Sequence, residues 1–209
     1  MQKQIDGLTG LRNKQCFLEE VLKLEKSRFT LALVDLDNFK PANDKFGHAV
    51  GDAIICDLGH HLKDEIGNHG QVFRYGGEEF GIILPDAEKE TGLFIMENIR
   101  RSFETDHQYE VNGEKVIIPM RFSCGVAASP DDADNAQDLL RFCDEALYRA
   151  KMSGRNKCCL SKIEKMIPKT VHYTKIQLER LSKLAEQSGI NEAALLREAL
   201  DDLLKKHIF

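Results

Sequence analysis

Two acidic motifs carry the residue types that can hold a metal ion over a phosphate. Residues 31–37, L-A-L-V-D-L-D, form an apolar run that ends in two aspartates, and residues 73–80, F-R-Y-G-G-E-E-F, place two glutamates after a glycine pair. If the two segments are neighbours, Asp35, Glu78 and Glu79 converge. Converging carboxylates raise one another's pKa unless a cation lies among them, and oxygen-only ligands favour Mg²⁺ or Mn²⁺. The alternative is a set of surface acids that never meet.

The glycine pair Gly76-Gly77 predicts a tight hairpin turn, because glycine tolerates positive φ at both central positions. Such a turn also lets a phosphate approach the backbone. The alternative is a solvated hairpin tip with acidic decoration.

Cations and polar groups elsewhere in the chain suit a nucleotide. Lys40 follows the aspartate-ended strand, where N–H groups of a helix start can hold phosphate. Lys151 and Arg155 flank a Ser-Gly helix break in A-K-M-S-G-R-N, a geometry that suits a polyphosphate and equally suits a helix dipole. Asn43 and Asp52 offer an amide and a carboxylate that match the edge of guanine. The alternative is that both residues are helix caps.

The composition is that of a soluble globular protein, with 42% apolar and 30% charged residues in 209. No apolar run is long enough to cross a bilayer and nothing resembles a signal peptide, so we expect a cytoplasmic protein without a membrane partner. We interpret the cysteines, which lack metal-site spacing, as reduced core residues. They are Cys16, Cys56, Cys124, Cys143, Cys158 and Cys159.

Charge is spread unevenly along the chain. Residues 1–161 carry 20 Lys/Arg against 27 Asp/Glu, a net charge of −7, and residues 162–209 carry 9 against 7, a net charge of +2. The first part is therefore not a general nucleic-acid binder, and the second part is only a weak candidate on charge.

Hydrophobic periodicity predicts alternating helices and strands, which favours an α/β or α+β sandwich with helices packed on a central sheet. Helices are predicted over about 14–26, 50–66, 86–104 and 136–152, and strands over about 29–36, 71–75, 79–84, 116–118, 120–127 and 157–160. Leu22 is placed on or near a buried helix face, and Asp86 is expected to be an N-cap. The uninterrupted apolar run at 29–36 predicts a central strand that is covered on both faces.

The last part of the chain differs in character. Residues 162–169 form a polar linker, and residues 170–173 alternate in polarity. Thr174 and Gln177 have the spacing of a capping box, which begins a helix to about residue 187, and Asn191 begins a second helix to about residue 206. About 40 residues cannot bury two apolar stripes alone, so we predict a partner, most simply a second copy.

Four linked motifs resemble the GGDEF family of diguanylate cyclases: D-G-L-T-G-L-R-N, V-D-L-D-N-F-K-P-A-N-D-K-F-G-H-A-V-G-D, R-Y-G-G-E-E-F and A-K-M-S-G-R-N. The resemblance covers about residues 5–161. It implies a nucleotide-cyclase-like palm, an α/β fold with a central, mostly antiparallel sheet wrapped by helices. It also implies condensation of two GTP into cyclic di-GMP and two pyrophosphates across a dimer, where each 3′-hydroxyl attacks the other nucleotide's α-phosphate.

The resemblance carries roles onto matching positions of this sequence. The implied ligands of two Mg²⁺ or Mn²⁺ ions are Asp35, Glu78, Glu79 and the backbone carbonyl of Leu36, and the three acids are the implied catalytic residues. The implied phosphate-binding residues are Asn38, Phe39, Lys40, Gly76, Gly77, Lys151 and Arg155, and the guanine readers are Asn43 and Asp52. The carboxylate of Asp52 favours GTP over ATP.

One departure from the family pattern has a consequence. Many members carry an inhibitory Arg-x-x-Asp site before the signature, where this chain has Gly67-Asn68-His69-Gly70. We therefore expect no product inhibition through that site. The first motif starts at Asp6, so a sensor domain is expected to be absent or cut away.

Residues 168–206 resemble the ribbon–helix–helix family of DNA-binding dimers, whose paired strands enter the major groove. Thr170 and His172 would then face DNA, Val171 and Tyr173 would face the core, and N–H groups near Asn191 would hold a phosphate. The alternative is a pure dimerisation clip.

Three segments are therefore predicted: a catalytic domain at 1–161, a linker at 162–169, and a dimerisation or DNA-binding module at 170–209. An alternative function is a catalytically silent receptor for GTP or a cyclic dinucleotide that controls a DNA-binding C-terminal domain. The intact set of Asp35, Glu78, Lys151 and Arg155 argues against it.

Overall fold

The computed structural model describes residues 4–111, 114–161, 170–188, 191–193, 195–196, 199–200 and 203. Contacts divide the chain into two compact units, Met1–Glu164 and Lys165–Phe209. The predicted linker at 162–169 lies outside the described residues, and the functional division of the chain stays a prediction.

A six-stranded mixed sheet with helices on both faces forms the first unit. The described residues of the unit contain eight strands, six of them in this sheet: β1 (Arg12–Asn13), β2 (Phe29–Asp37), β3 (Gln71–Arg74), β4 (Glu79–Pro85), β5 (Asp106–Val111), β6 (Glu114–Pro119), β7 (Arg121–Ser129) and β8 (Cys158–Leu160). Its helices are α1 (Lys14–Lys23), α2 (Phe39–Phe46), α3 (His48–Ile66), α4 (Lys89–Phe103) and α5 (Ala136–Met152), with a 3₁₀ turn at Gly67–His69. The predicted α/β fold with a small C-terminal module is confirmed.

The main sheet has the order β1-β3-β4-β2-β7-β8, in which β1–β3 and β7–β8 are parallel and the three central pairings are antiparallel. Strands β5 and β6 form a separate two-stranded sheet. The sequence did not predict β5, because Tyr109 alone of its six residues is buried, which leaves no apolar run to mark it.

Strand β2 is the centre of the unit, and all nine of its residues are buried, as its apolar character predicts. Ala32, Val34 and Leu36 pack into a core cluster with α3 and α4. Leu31 and Leu33, on the opposite face, pack with α1 and α5. The two aspartates that end β2 therefore emerge from a strand covered by helices on both sides.

The close approach of α5 to β7 depends on Gly125. A Cβ at this position would overlap the backbone carbonyl oxygen of Cys143 and the backbone nitrogen of Leu147. Because both groups belong to the helix backbone, they cannot move without displacing α5. Gly125 therefore sets the distance between helix and sheet, and with it the position of the C-terminal end of α5.

Two local predictions were wrong. Leu22 is 57% exposed, because Phe17 and Val21 occupy the buried face of α1 and the next residue lies about 100° around the helix. Asp86 does not cap α4: it has φ of 56° in the turn after β4, and Glu88 precedes the first helical residue.

The cysteines are all free thiols, but only part of the prediction for them holds. Cys16, Cys124 and Cys143 are buried as predicted. Cys56, Cys158 and Cys159 are only partly buried.

In the second unit, α6 (Lys175–Ser188) begins at the predicted capping box. The Thr174 N–H donates to Gln177 Oε1 at 2.9 Å, and the Gln177 N–H donates to Thr174 Oγ1 at 3.3 Å. Residues 170–174 are not in a strand, and within the second predicted helix 192–193, 195–196, 199–200 and 203 are helical. The rest of that helix lies outside the described residues. None of the helices in the described ranges is long and apolar enough to span a membrane.

We predict that Gly125→Ala destabilises the protein by more than about 3 kcal/mol, because the added methyl overpacks backbone against backbone. Chemical denaturation monitored by circular dichroism measures the change. Gly77→Ala is the matched control, since a Cβ there meets nothing within 4 Å, and we expect it to shift stability by less than about 1 kcal/mol. Equal stability of the two variants would contradict the close packing at Gly125.

Candidate active site

The pairing of β2 with β4 brings the acidic motifs together. Asp35 and Glu79 are directly opposite each other in the antiparallel register, so both side chains lie on the same face of the sheet. The Leu36 N–H donates to the carbonyl oxygen of Glu78 at 3.3 Å, which fixes Glu78 beside the end of β2. The three acids therefore lie close enough at one end of β2 to influence one another's pKa, so the alternative of surface acids that never meet does not hold, and their role as metal ligands stays a prediction.

Two cations from the end of α5 face this acidic group. Lys151 Nζ lies 2.5 Å from Asp35 Oδ2, and the Asp35 side chain is only 10% exposed. Arg155 also stabilises the charged form of Asp35 electrostatically. Among the described residues, the buried Oδ1 atom of Asp35 has no hydrogen-bond partner.

Burial is the largest influence on the pKa values of the acids at this site. Burial raises the pKa of Asp35, and the neighbouring Asp37 adds to the rise, although Lys151 opposes it. Burial and then the charge of Asp35 raise the pKa of both Glu78 and Glu79. Raised carboxyl pKa values mean that the folded chain alone does not neutralise these groups.

An unpartnered buried carboxylate oxygen among repelling acids fits a divalent cation. No three His, Cys, Asp or Glu side chains form a complete metal-ligand cluster in the part of the chain that the structure describes. That is also consistent with Mg²⁺, which proteins commonly bind through one or two carboxylates, waters and substrate phosphates.

Arg74 braces the glycine turn between β3 and β4. Its Nε donates to the Gly76 carbonyl at 2.6 Å, and its Nη2 donates to the Gly77 carbonyl. Its Nη1 lies 3.3 Å from Asp6 Oδ1, which links the first sequence motif to the turn. Sequence reasoning quoted both motifs but missed this contact.

The reason given for the glycine pair was wrong, because neither Gly76 nor Gly77 is among the positive-φ residues of the described chain. A Cβ on Gly76 would overlap Glu79 Oε2. The first glycine therefore leaves room for a carboxylate, and the second leaves open space.

The loop from β2 into α2 offers groups for a phosphate. Asn38 has φ of 56° and precedes the first helical residue, Phe39, without a side-chain capping bond. The first N–H groups of an α-helix lack intrahelical partners, and Lys40 is exposed in this first turn. Arg155, in the loop after α5, is also exposed.

Asn43 and Asp52, the predicted guanine readers, lie inside α2 and α3 respectively, so the alternative that they are helix caps was wrong. The Asn43 Nδ2 atom is 3.1 Å from His48 Nδ1. A Cβ on Gly51 would overlap Asn43 Oδ1. Sequence reasoning missed both His48 and Gly51 as neighbours that constrain the amide.

The predicted DNA-facing residues belong to the second unit. Thr170, His172 and Asn191 are exposed, and their role stays a prediction. Gly67-Asn68-His69-Gly70 lies in the first unit at the end of α3, where the first three residues form the 3₁₀ turn.

Comparison with known proteins assigns this arrangement to a family. The family model described as "Diguanylate cyclase, GGDEF domain" matches residues 3–157. The chain belongs to the GGDEF family. Members of this family typically use a divalent metal ion. A ribbon–helix–helix domain matches residues 166–207, which confirms the second resemblance.

Among curated GGDEF relatives, a "Diguanylate cyclase" of Vibrio cholerae is 37% identical over 161 residues, covering 74% of this chain and 49% of the relative. The "Response regulator PleD" of Caulobacter vibrioides is 35% identical over 158 residues, covering 72% of this chain and 34% of the relative. The chain thus spans about a third to a half of the length of these relatives.

Solved GGDEF structures share the fold. The GGDEF domain of DgcB from Caulobacter crescentus, crystallised with c-di-GMP, has a TM-score of 0.70 and 28% identity, covering 77% of this chain and 97% of that one. The active GGEEF domain of a diguanylate cyclase from Vibrio cholerae has a TM-score of 0.63 and 32% identity, covering 73% and 98%.

We predict that Asp35→Asn gains stability relative to the wild type as pH rises in the presence of EDTA. A carboxyl group with a raised pKa binds more protons in the folded state than in the unfolded state. The wild type therefore loses stability as pH rises from about 3.8, the ordinary value of Asp35, through its raised pKa. Urea unfolding of both proteins at pH 4 and pH 7 measures the effect.

The comparison between the two proteins cancels the titrating groups that lie away from Asp35, whereas Glu78 and Glu79 respond to the loss of its charge. If the free energy of unfolding of Asp35→Asn, minus that of the wild type, falls between pH 4 and pH 7, the electrostatic account of this site is contradicted.

Proposed function

We propose that the first unit is a diguanylate cyclase, which condenses two GTP into cyclic di-GMP and releases two pyrophosphates. The observation that carries this proposal is the pairing of Asp35 with Glu79 in the sheet, with Glu78 beside them. Lys151 Nζ lies 2.5 Å from Asp35 Oδ2 in the same place. A group of acids with raised pKa values lies next to Lys151 and Arg155, and this combination of oxygen ligands and cations suits a metal-bound triphosphate. Similarity to the Vibrio cholerae diguanylate cyclase supports the same reaction.

Asp35, Glu78, Glu79 and the carbonyl oxygen of Leu36 would hold two Mg²⁺ or Mn²⁺ ions. When bound, such ions neutralise charge on the phosphates and help to activate the attacking hydroxyl. The chain's own contribution is to keep these oxygen ligands close together on a rigid strand pair.

We assign the remaining roles by the charge and place of each group. Lys151, Arg155 and the N-terminus of α2 bind the β- and γ-phosphates, which leave as pyrophosphate when the α–β bridging bond breaks. The oxygen of the 3′-hydroxyl bonds to the α-phosphorus, and Glu79 receives the proton that this hydroxyl loses. Asn43 and Asp52 recognise guanine.

A second copy is needed because each substrate-binding face presents one GTP. Several apolar side chains of the second unit are exposed in the single chain: Val171, Tyr173, Ile176, Leu178, Leu184, Leu200 and Leu203. We propose that this unit forms a homodimer, which raises the effective concentration of one GTP-loaded face near the other. The match to a ribbon–helix–helix domain also makes DNA a candidate partner.

We predict that the purified chain converts GTP and Mg²⁺ into cyclic di-GMP and pyrophosphate, and that Glu78→Ala lowers the rate by about 10³-fold or more. The loss follows from removing a ligand that stabilises developing charge. Chromatography of the products measures it. Glu110→Gln, on the separate two-stranded sheet, is the control and should keep the wild-type rate.

An active Glu78→Ala variant would refute the metal-ligand role. A wild-type chain that binds GTP without forming product would instead support the silent-receptor alternative.

We predict that Leu178→Asp converts a dimeric chain into a monomer, because a charge would be buried in the apolar contact between copies. Light scattering coupled to size exclusion measures the mass. Lys183→Glu changes the charge of an exposed residue of the same helix and should stay dimeric. The product rate of the Leu178→Asp variant should fall most at low protein concentration, and a concentration-independent rate would contradict the proposed role of the dimer.

A further inference from the structure

Asp37, the second aspartate of β2, is fully engaged by hydrogen bonds. Ser123 Oγ, on the neighbouring strand β7, lies 2.8 Å from Asp37 Oδ1 and 3.0 Å from Oδ2. The backbone N–H of Asn156 donates to Asp37 Oδ2 at 2.8 Å. Asp37 is 5% exposed and Ser123 is fully buried, so these bonds are shielded from water.

The segment that Asp37 holds contains Arg155. Arg155 and Asn156 have φ of 61° and 47°, in the left-handed region that is uncommon for non-glycine residues, although Asn adopts it more readily than most. Arg100 Nη1 donates to the Asn156 side-chain oxygen at 2.7 Å. Asn156 is therefore hydrogen-bonded through its backbone to Asp37 of β2 and through its side chain to Arg100 of α4.

This arrangement connects the two halves of the proposed site. Asp35, two residues before Asp37 on the same strand and the same face, belongs to the acidic group, and Arg155, one residue before Asn156, belongs to the phosphate-binding group. Asp37 thus ties the loop that carries Arg155 to the strand that carries the acids, in addition to the bond from the Arg155 N–H to the Ala150 carbonyl at 3.0 Å.

We propose that Asp37 is a positioning residue that holds Arg155 on the β- and γ-phosphates of GTP. The inference rests on the proposed cyclase function and deepens it. Asp37 is not assigned to a metal, because its two oxygens already accept hydrogen bonds from Ser123 and Asn156, whereas Asp35 keeps a buried oxygen without a described partner.

The test compares two ligands that differ in the phosphates Arg155 would contact. 3′-Deoxy-GTP carries the full triphosphate but lacks the attacking hydroxyl, and GMP lacks the β- and γ-phosphates. Asp37→Asn removes the charge and replaces one carboxylate oxygen by an NH2 group, so only one oxygen is left to accept from Ser123 or Asn156. Titration calorimetry of the full chain with Mg²⁺ measures both affinities. We expect Asp37→Asn to bind 3′-deoxy-GTP about tenfold more weakly than the wild type does, which is the scale of one hydrogen bond to a charged group. GMP binding should change less than about twofold.

Three further variants make the test specific. Asp132→Asn removes another buried carboxylate, which accepts from the Ala128 N–H and pairs with Lys89 beyond the opposite end of β7, and it should leave the ratio of the two affinities unchanged. Ser123→Ala removes only one hydrogen-bond donor to Asp37. It should lower the ratio of the affinity for 3′-deoxy-GTP to the affinity for GMP, as Asp37→Asn does, and it keeps the test decisive if Asp37→Asn does not fold. Arg155→Ala should reproduce the loss, and the Asp37→Asn/Arg155→Ala double variant should lose no more than Arg155→Ala alone.

The outcomes separate this inference from the function on which it rests. If Arg155→Ala lowers the ratio and neither Asp37→Asn nor Ser123→Ala does, Asp37 has no positioning role, although the phosphate clamp stands. If Asp37→Asn weakened the binding of 3′-deoxy-GTP and of GMP equally, Asp37 would stabilise the fold without positioning Arg155. If Arg155→Ala itself leaves the ratio unchanged, the clamp falls and the inference falls with it.

Discussion

A carboxylate buried at the end of the central strand is the constraint on which the candidate site depends. Burying a charged group costs free energy unless other charges and hydrogen bonds compensate it. Lys151 compensates one oxygen of Asp35, and the other is left without a partner among the described residues. The strand cannot move this residue into water, because β2 is paired on both edges as far as Asp35 and covered on both faces. Local rules are broken in this way mainly where function requires it.

The acids and the cations reach the site through different parts of the fold. Backbone pairing sets the acids, since the register of β2 with β4 leaves Asp35 opposite Glu79. Packing of a helix on a sheet sets the cations, since the contact at Gly125 fixes how close α5 lies. Both supports act through the backbone, which deforms less readily than a side chain.

The sequence predicted what depends on local order and missed what depends on distant neighbours. The apolar run of β2 and the extent of α5 could be read because each pattern has one structural solution. The reason for a glycine at position 76 could not be predicted, because the side chain of Glu79 occupies the space that a Cβ would need. Strand β5 was missed because its residues are mostly polar, and only its pairing with β6 reveals it.

The two aspartates of β2 show the same limit within the site. Asp35 and Asp37 are the same residue type on the same face of one strand, and no spacing rule separates their roles. Ser123 and Asn156, which distinguish them, are 86 and 119 residues away from Asp37 in the chain. The resemblance to a family singled out Asp35, but the reason that Asp37 differs is visible only in three dimensions.

Thermodynamic linkage couples the proposed dimer of the second unit to GTP binding in the first unit. If association of the second unit favours the meeting of two GTP-loaded faces, then GTP-loaded faces must strengthen that association by the same factor. The exposed apolar residues of α6, among them Ile176, Leu178 and Leu184, then set more than an oligomeric state. Their contact area determines the protein concentration at which substrate can promote assembly. A chain with a smaller apolar contact would therefore show a steeper dependence of dimer formation on GTP. Conversely, a very strong stripe would remove that response, because a permanent dimer has no assembly left to promote.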